Sequence, residues 1–177
     1  NTYATATALG TLTCPGSPYT NIASGTTVGA GNECGNASED RWYSFTITAT
    51  SDVTVGLCNS GYDTFLRLYN SGGANCAGAT QIASNDDNCG LQSSITQSSL
   101  AAGTYIIAIE GFGSNNGAYQ LDINVTNCAT PMVYSSTAVT QASTATVAQS
   151  SQDQQILRVE VVTAGLTSPF DLTQLRI

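Results

Sequence analysis

Hydrophobic and polar residues alternate with a period of two along much of the chain, and no stretch shows the helical period of 3.6. The clearest run is 118–125, where Tyr119, Leu121, Ile123 and Val125 fall on one side and Gln120, Asp122 and Asn124 on the other. Six strand-like segments precede it, at 41–48, 53–57, 64–69, 80–83, 94–97 and 104–110, separated by short glycine-rich turns. This spacing predicts an all-β fold, an antiparallel β-sandwich of jelly-roll type.

The two ends of the chain read differently. Residues 1–13 (NTYATATALGTLT) are uncharged and β-prone. They suit either an ordinary first strand or a free strand that pairs with the sheet of another molecule. The sandwich itself is expected over 14–128. After the linker Ala129-Thr130-Pro131 a second unit opens, spanning 129–177. In it, 155–163 places Leu157, Val159 and Val161 on one face and Arg158 and Glu160 on the other, and a further strand begins at 170–177. Only about four strand-like runs fit after Met132, against roughly seven in an immunoglobulin-like sandwich. The second unit is therefore expected to be an incomplete immunoglobulin-like sandwich, either a truncated piece or one that another chain completes.

Charge narrows the function. Acidic residues number 12 against 4 basic ones, all arginine, with no histidine and a net charge of -8. That balance argues against nucleic acid and anionic membrane surfaces, whose binding depends on clustered positive charge. No apolar run approaches the roughly 20 residues of a membrane span. Six cysteines without CxxC spacing or a histidine imply three disulfides rather than a zinc site, and hence an extracellular or cell-surface protein. Among many formal pairings, Cys14 with Cys34 would staple the loop-rich stretch between them. If strands alternate in direction, Cys58 meets Cys89 and Cys76 meets Cys128.

Asp63 precedes one expected strand, and Asn85, Asp86 and Asp87 occupy a turn that a hairpin would bring to the same end. Carboxylates converging without a cationic neighbour repel one another unless a hard cation sits among them, and oxygen-only ligands suit Ca²⁺. The alternative is that these side chains cap turns through hydrogen bonds to backbone. Glu39, Asp40 and Glu110 are lesser candidates. Asn36-Ala37-Ser38 and Asn124-Val125-Thr126 fit the N-glycosylation pattern. Trp42, Tyr62, Tyr69 and Phe112 are the aromatic residues available for a sugar platform, although alternation sends several of them to the core. Without histidine or lysine the usual nucleophile and base pairs cannot be built, so no enzymatic activity is expected.

Four blocks carry a family likeness: Asp40-Arg41-Trp42-Tyr43-Ser44-Phe45, then Tyr62-Asp63-Thr64-Phe65-Leu66-Arg67-Leu68-Tyr69, then Ser84-Asn85-Asp86-Asp87, and finally Gly103-Thr104-Tyr105-Ile106-Ile107 with Gly117-Ala118-Tyr119-Gln120-Leu121. In this order they resemble the bacterial pre-peptidase C-terminal domain. The resemblance implies a calcium-associated β-sandwich appended to secreted proteases and surface proteins. Val133-Tyr134-Ser135-Ser136, the run from Gln154 to Val162, and Leu172-Thr173 resemble the opening half of the β-domain that accompanies sialidase-type repeats in secreted Bacteroidetes-like proteins. Residues 1–7 resemble, more loosely, the strand that closes that domain.

Two functions follow as expectations. One is a structural subunit of an extracellular filament, polymerised with copies of itself by donation of 1–13 to the incomplete sandwich of the next subunit. The other is a non-catalytic binding or targeting module of a larger secreted protein, with glycans among its possible partners.

Overall fold

β-Branched and aromatic residues at alternating positions give the seven expected strands. They are β3 (Arg41–Ile47), β4 (Ser51–Gly56), β5 (Thr64–Asn70), β6 (Gln81–Asn85), β7 (Ser94–Leu100), β8 (Gly103–Gly111) and β9 (Ala118–Thr126), preceded by β1 (Thr7–Leu12) and β2 (Tyr19–Thr26). The computed structural model describes residues 1–14, 18–129, 133–141, 146 and 157–164. The chain divides into two units, Asn1–Cys128 and Ala129–Ile177.

In the first unit a five-stranded sheet of order β1-β3-β8-β5-β6 faces a four-stranded sheet of order β2-β9-β4-β7. Every pairing is antiparallel except that of β1 with β3. Phe45, Leu66, Leu68, Ile107 and Ile109 of the first sheet meet Val53, Val55, Leu121, Ile123 and Val125 of the second in the main core. Each such side chain contributes roughly 1.5–3 kcal/mol by leaving water.

β8 departs from simple alternation, since every residue from Tyr105 to Gly111 is buried. Its outer face is also covered. Ile106 and Ala108 pack there with Trp42, Tyr69, Cys76 and Tyr3 in a second, smaller core. Tyr3 comes from a 3-10 turn at Tyr3–Thr5. Only 2% exposed, its ring stands edge-on to Trp42 at 5.8 Å and to Tyr69 at 6.1 Å. The Asn1 side chain closes the turn by donating to the Trp42 carbonyl (2.6 Å) and accepting from the Trp42 amide (3.1 Å).

The N-terminal segment is therefore not a free donor strand. β1 pairs with β3 of its own sheet, Leu12 enters the main core, and Tyr3 fills a socket made by its own chain. Its small residues and threonines suit an edge strand, which must pack on one side and meet water on the other.

Two of the expected disulfides are also corrected. The bonds are Cys14–Cys128, Cys34–Cys76 and Cys58–Cys89, and no cysteine is free. The parallel course of β1 carries Cys14 toward the exit of β9, where Cys128 waits 6.0 Å away between Cα atoms. The loop bearing Cys34 folds over the outer face of the five-stranded sheet and meets Cys76 in the second core. Cys14–Cys34 and Cys76–Cys128 assumed strictly alternating strands and a closed local loop, and the parallel edge strand breaks that assumption.

The second unit contains β10 (Val133–Gln141) antiparallel to β11 (Leu157–Ala164). The register sets Val139 opposite Val159 and Thr137 opposite Val161, so these four share a face. The strand expected at 170–177 lies outside the described residues.

Candidate metal centre

Hairpin geometry brings the acidic residues together. β5 and β6 pair with Leu66 opposite Asn85, so Asp63, just before β5, lies beside Asp86 and Asp87, just after β6. Buried Ser93 knits these segments, its hydroxyl lying 2.7 Å from both the Thr64 and the Asp86 carbonyls. Its amide donates to the Thr64 hydroxyl at 2.9 Å. The Cys58–Cys89 bond then ties the loop after β6 to the segment leading to Asp63, with Cα atoms 5.6 Å apart. The Phe112 amide donates to the Asp63 carbonyl at 3.1 Å.

One carboxylate oxygen from each of Asp63, Asp86 and Asp87 lies within 4.8 Å of the others. Ligands around a Ca²⁺ ion bound at about 2.3–2.6 Å can be no more than about 5 Å apart, so the spacing fits one ion. Oδ1 of Asp63 and Oδ1 of Asp86 are both buried without a hydrogen-bond partner in the fold. Such atoms cost about 1–3 kcal/mol each, more when charged. Burial, reinforced by the charges of Asp87 and Asp63, pushes the Asp86 carboxyl above its ordinary value. No basic side chain is paired with the three carboxylates among the described residues, where Arg67 pairs with Glu110.

The other expected ligands have different duties. The Asn85 side chain accepts the Ser94 amide at 2.9 Å, which is the turn-capping role. Glu39 accepts from the Gly29 amide and the Asn116 side chain. Asp40, buried, accepts the Trp42 indole and the Glu33 amide. Glu110, fully buried, pairs with Arg67 at 3.0 Å and accepts the Asn36 amide. Burial raises the Glu110 carboxyl, opposed by the Asn36 amide and Arg67.

The glycosylation patterns also separate. The Asn36 side-chain amide and the buried Ser38 hydroxyl both donate to the Gly111 carbonyl, at 3.1 and 2.9 Å, which binds this motif into the fold. Asn124 stays on the outer face of β9, half-buried. Of the aromatic set, Trp42 and Tyr69 are buried and Tyr62 is half-buried, while Phe112 is exposed. They form no common platform.

Residues 40–111, from β3 to the end of β8 and including the acidic cluster, match the family model of the bacterial pre-peptidase C-terminal domain. Among solved structures, the chain is similar to the pre-peptidase C-terminal domain of a collagenase from Bacillus anthracis, with 16% identity, TM-score 0.44, and 67% of this chain and 94% of that one covered. It is also similar to PliG of Aeromonas hydrophila, a periplasmic inhibitor of g-type lysozyme, with 14% identity, TM-score 0.47, and 67% and 96% covered. No curated protein matches the chain. Nothing in these comparisons supports the sialidase-associated likeness of the second unit.

Proposed function

We propose that the first unit is a non-catalytic module of a secreted bacterial protein, stiffened at one end by a Ca²⁺ ion bound to Asp63, Asp86 and Asp87. The observation that carries this reading is the pair of buried, unpartnered carboxylate oxygens, Oδ1 of Asp63 and Oδ1 of Asp86, beside a third carboxylate. An ion there would satisfy both oxygens, cancel the mutual repulsion and lock the loop after β6 onto the start of β5. Because binding favours the folded state, it raises stability by mass action. Thermal unfolding of the whole chain in calcium and in chelator tests the proposal. A higher midpoint in calcium is expected, with magnesium a poor substitute because it demands a tighter octahedral shell. Coincident midpoints would end it.

A second reading rests on β10 and β11. Val139 and Val161 share a face and are 62% and 47% exposed. A strand from a different surface of another copy, laid against β10 and β11, would extend and cover them, and such a heterologous contact repeats head to tail into a polymer. In that polymer residues 1–13 stay with their own sandwich and are not the donor. Electron microscopy of the purified chain and of Val139→Asp tests this reading. Fibres abolished by the substitution support it, and particles of one chain in both samples contradict it.

A further inference from the structure

A concavity separate from the acidic cluster is lined by residues of β1 and β3 of one sheet and β2 and β9 of the other. Its volume is about 290 Å³, and it is lined by Asn1, Thr7, Gly25, Thr26, Arg41, Tyr43 and Tyr119. Pockets for small ligands begin at about 300 Å³, so the space suits a single ring.

The charge in this pocket is unusual for the chain. Acidic residues outnumber arginines 12 to 4, and Arg67 is paired with Glu110. Arg41 lies on β3 with no carboxylate within ion-pair distance among the described residues. Its Nε donates to the Thr26 carbonyl at 2.9 Å, which fixes the plane of the guanidinium and leaves the two terminal amino groups for a ligand. Those groups form the planar fork that grips a carboxylate.

The floor is a hydroxyl pair. Tyr43 and Tyr119 approach to 2.6 Å between oxygens, and either can donate. One proton serves this bond, so the accepting phenol keeps its own proton to offer outward. Gly25 makes the arrangement possible, since a Cβ there would lie 2.8 Å from the Tyr119 hydroxyl oxygen. The Thr7 hydroxyl accepts from the Asn1 side chain at 3.0 Å and retains its proton. A fixed cation thus stands among hydroxyl donors and two aromatic rings.

We propose that this pocket binds a carboxylated monosaccharide unit of the uronic acid class, with the carboxylate on Arg41 and the ring hydroxyls on Tyr43, Tyr119 and Thr7. The density of hydroxyl partners around the guanidinium favours a sugar over a peptide carboxylate, which would leave most of them unmatched. The site is independent of the calcium reading and does not need it.

The test is titration of the whole chain with glucuronate, followed by NMR or calorimetry, with glucose, acetate and an acidic dipeptide as separate arms. Glucuronate should bind while glucose and acetate bind at least roughly tenfold more weakly, since each lacks one half of the recognition. Arg41→Gln should lose glucuronate binding by a similar factor, and Tyr43→Phe, which removes only the hydroxyl, should weaken it with the unfolding midpoint near wild type. No binding of glucuronate, or binding unchanged in Arg41→Gln, overturns the proposal. Acetate or the dipeptide binding as tightly as glucuronate overturns the assignment to a sugar.

Discussion

The Tyr3 hydroxyl donates a 2.7 Å hydrogen bond to the carbonyl of Asn70, joining the start of the chain to the end of β5. Around that bond the Tyr3 ring completes a small aromatic core with Trp42 and Tyr69 on the outer face of the sheet. The N-terminal segment is thereby a structural part of the sandwich that follows it.

Tyr3→Ala should accordingly lower the stability of the first unit by about 3–5 kcal/mol, the range for removing a buried aromatic ring. Tyr3→Phe keeps the ring and loses both the bond to Asn70 and the one accepted from the Gly73 amide, at about 1 kcal/mol each. Denaturant unfolding followed by Trp42 fluorescence measures both. A free donor strand would give no loss in either variant.

The covalent framework makes an independent check. Peptide mapping of the unreduced protein should recover Cys14 linked to Cys128, Cys34 to Cys76 and Cys58 to Cys89. Replacing Cys34 and Cys76 together by alanine should cost about 2–4 kcal/mol and loosen the cover over Trp42. A peptide joining Cys14 to Cys34 would contradict the parallel placement of β1.

The acidic cluster predicts a particular pH dependence. In chelator, the folded state holds a proton on Asp86 more tightly than the unfolded chain does, because burial and then the neighbouring Asp87 and Asp63 charges raise its carboxyl. Stability from this group therefore increases as pH falls from neutral toward the ordinary value of 3.8, and is lost as pH rises through the raised value. Asp86→Asn mimics the protonated form, so without calcium it should melt above wild type at neutral pH and converge with it on acidification. In calcium the order should reverse, since an uncharged amide is a weaker ligand for the ion than the carboxylate it replaces. Asp52, whose carboxyl is held low by the Asn127 side chain and the Ser99 amide, destabilises only at and below 3.8, outside this window.

Much of the sandwich was legible because its central strands bury one face, and burial on one face writes itself as alternation. Tyr119, Leu121, Ile123 and Val125 point inward as their spacing implies. β2 was not legible, because the edge segment Tyr19–Thr26 is polar, partly exposed and embedded among glycines and prolines that read as loop. The parallel course of β1 was hidden for a related reason. An edge strand carries little burial signal, and direction leaves none in a sequence. Asp63, Asp86 and Asp87 were legible as a group because a short hairpin fixes which ends meet. Asn85 looked equivalent to them, and its capping bond to Ser94 depends on side-chain direction, which residue type does not reveal. The Arg41 pocket is not legible in the sequence, although Arg41 is one of two basic residues before the linker. Its neighbours come from β1, β2, β3 and β9, and sequence does not show that those edges converge.

Calorimetric titration of calcium into the chelator-stripped whole chain, beside the Asp86→Asn variant, tests the metal centre most directly. The predicted result is saturable binding of one ion per chain that the substitution weakens by roughly tenfold or more, as loss of a charged ligand should. Absence of heat and of any saturable uptake in the wild type, or equal binding by both proteins, would contradict it.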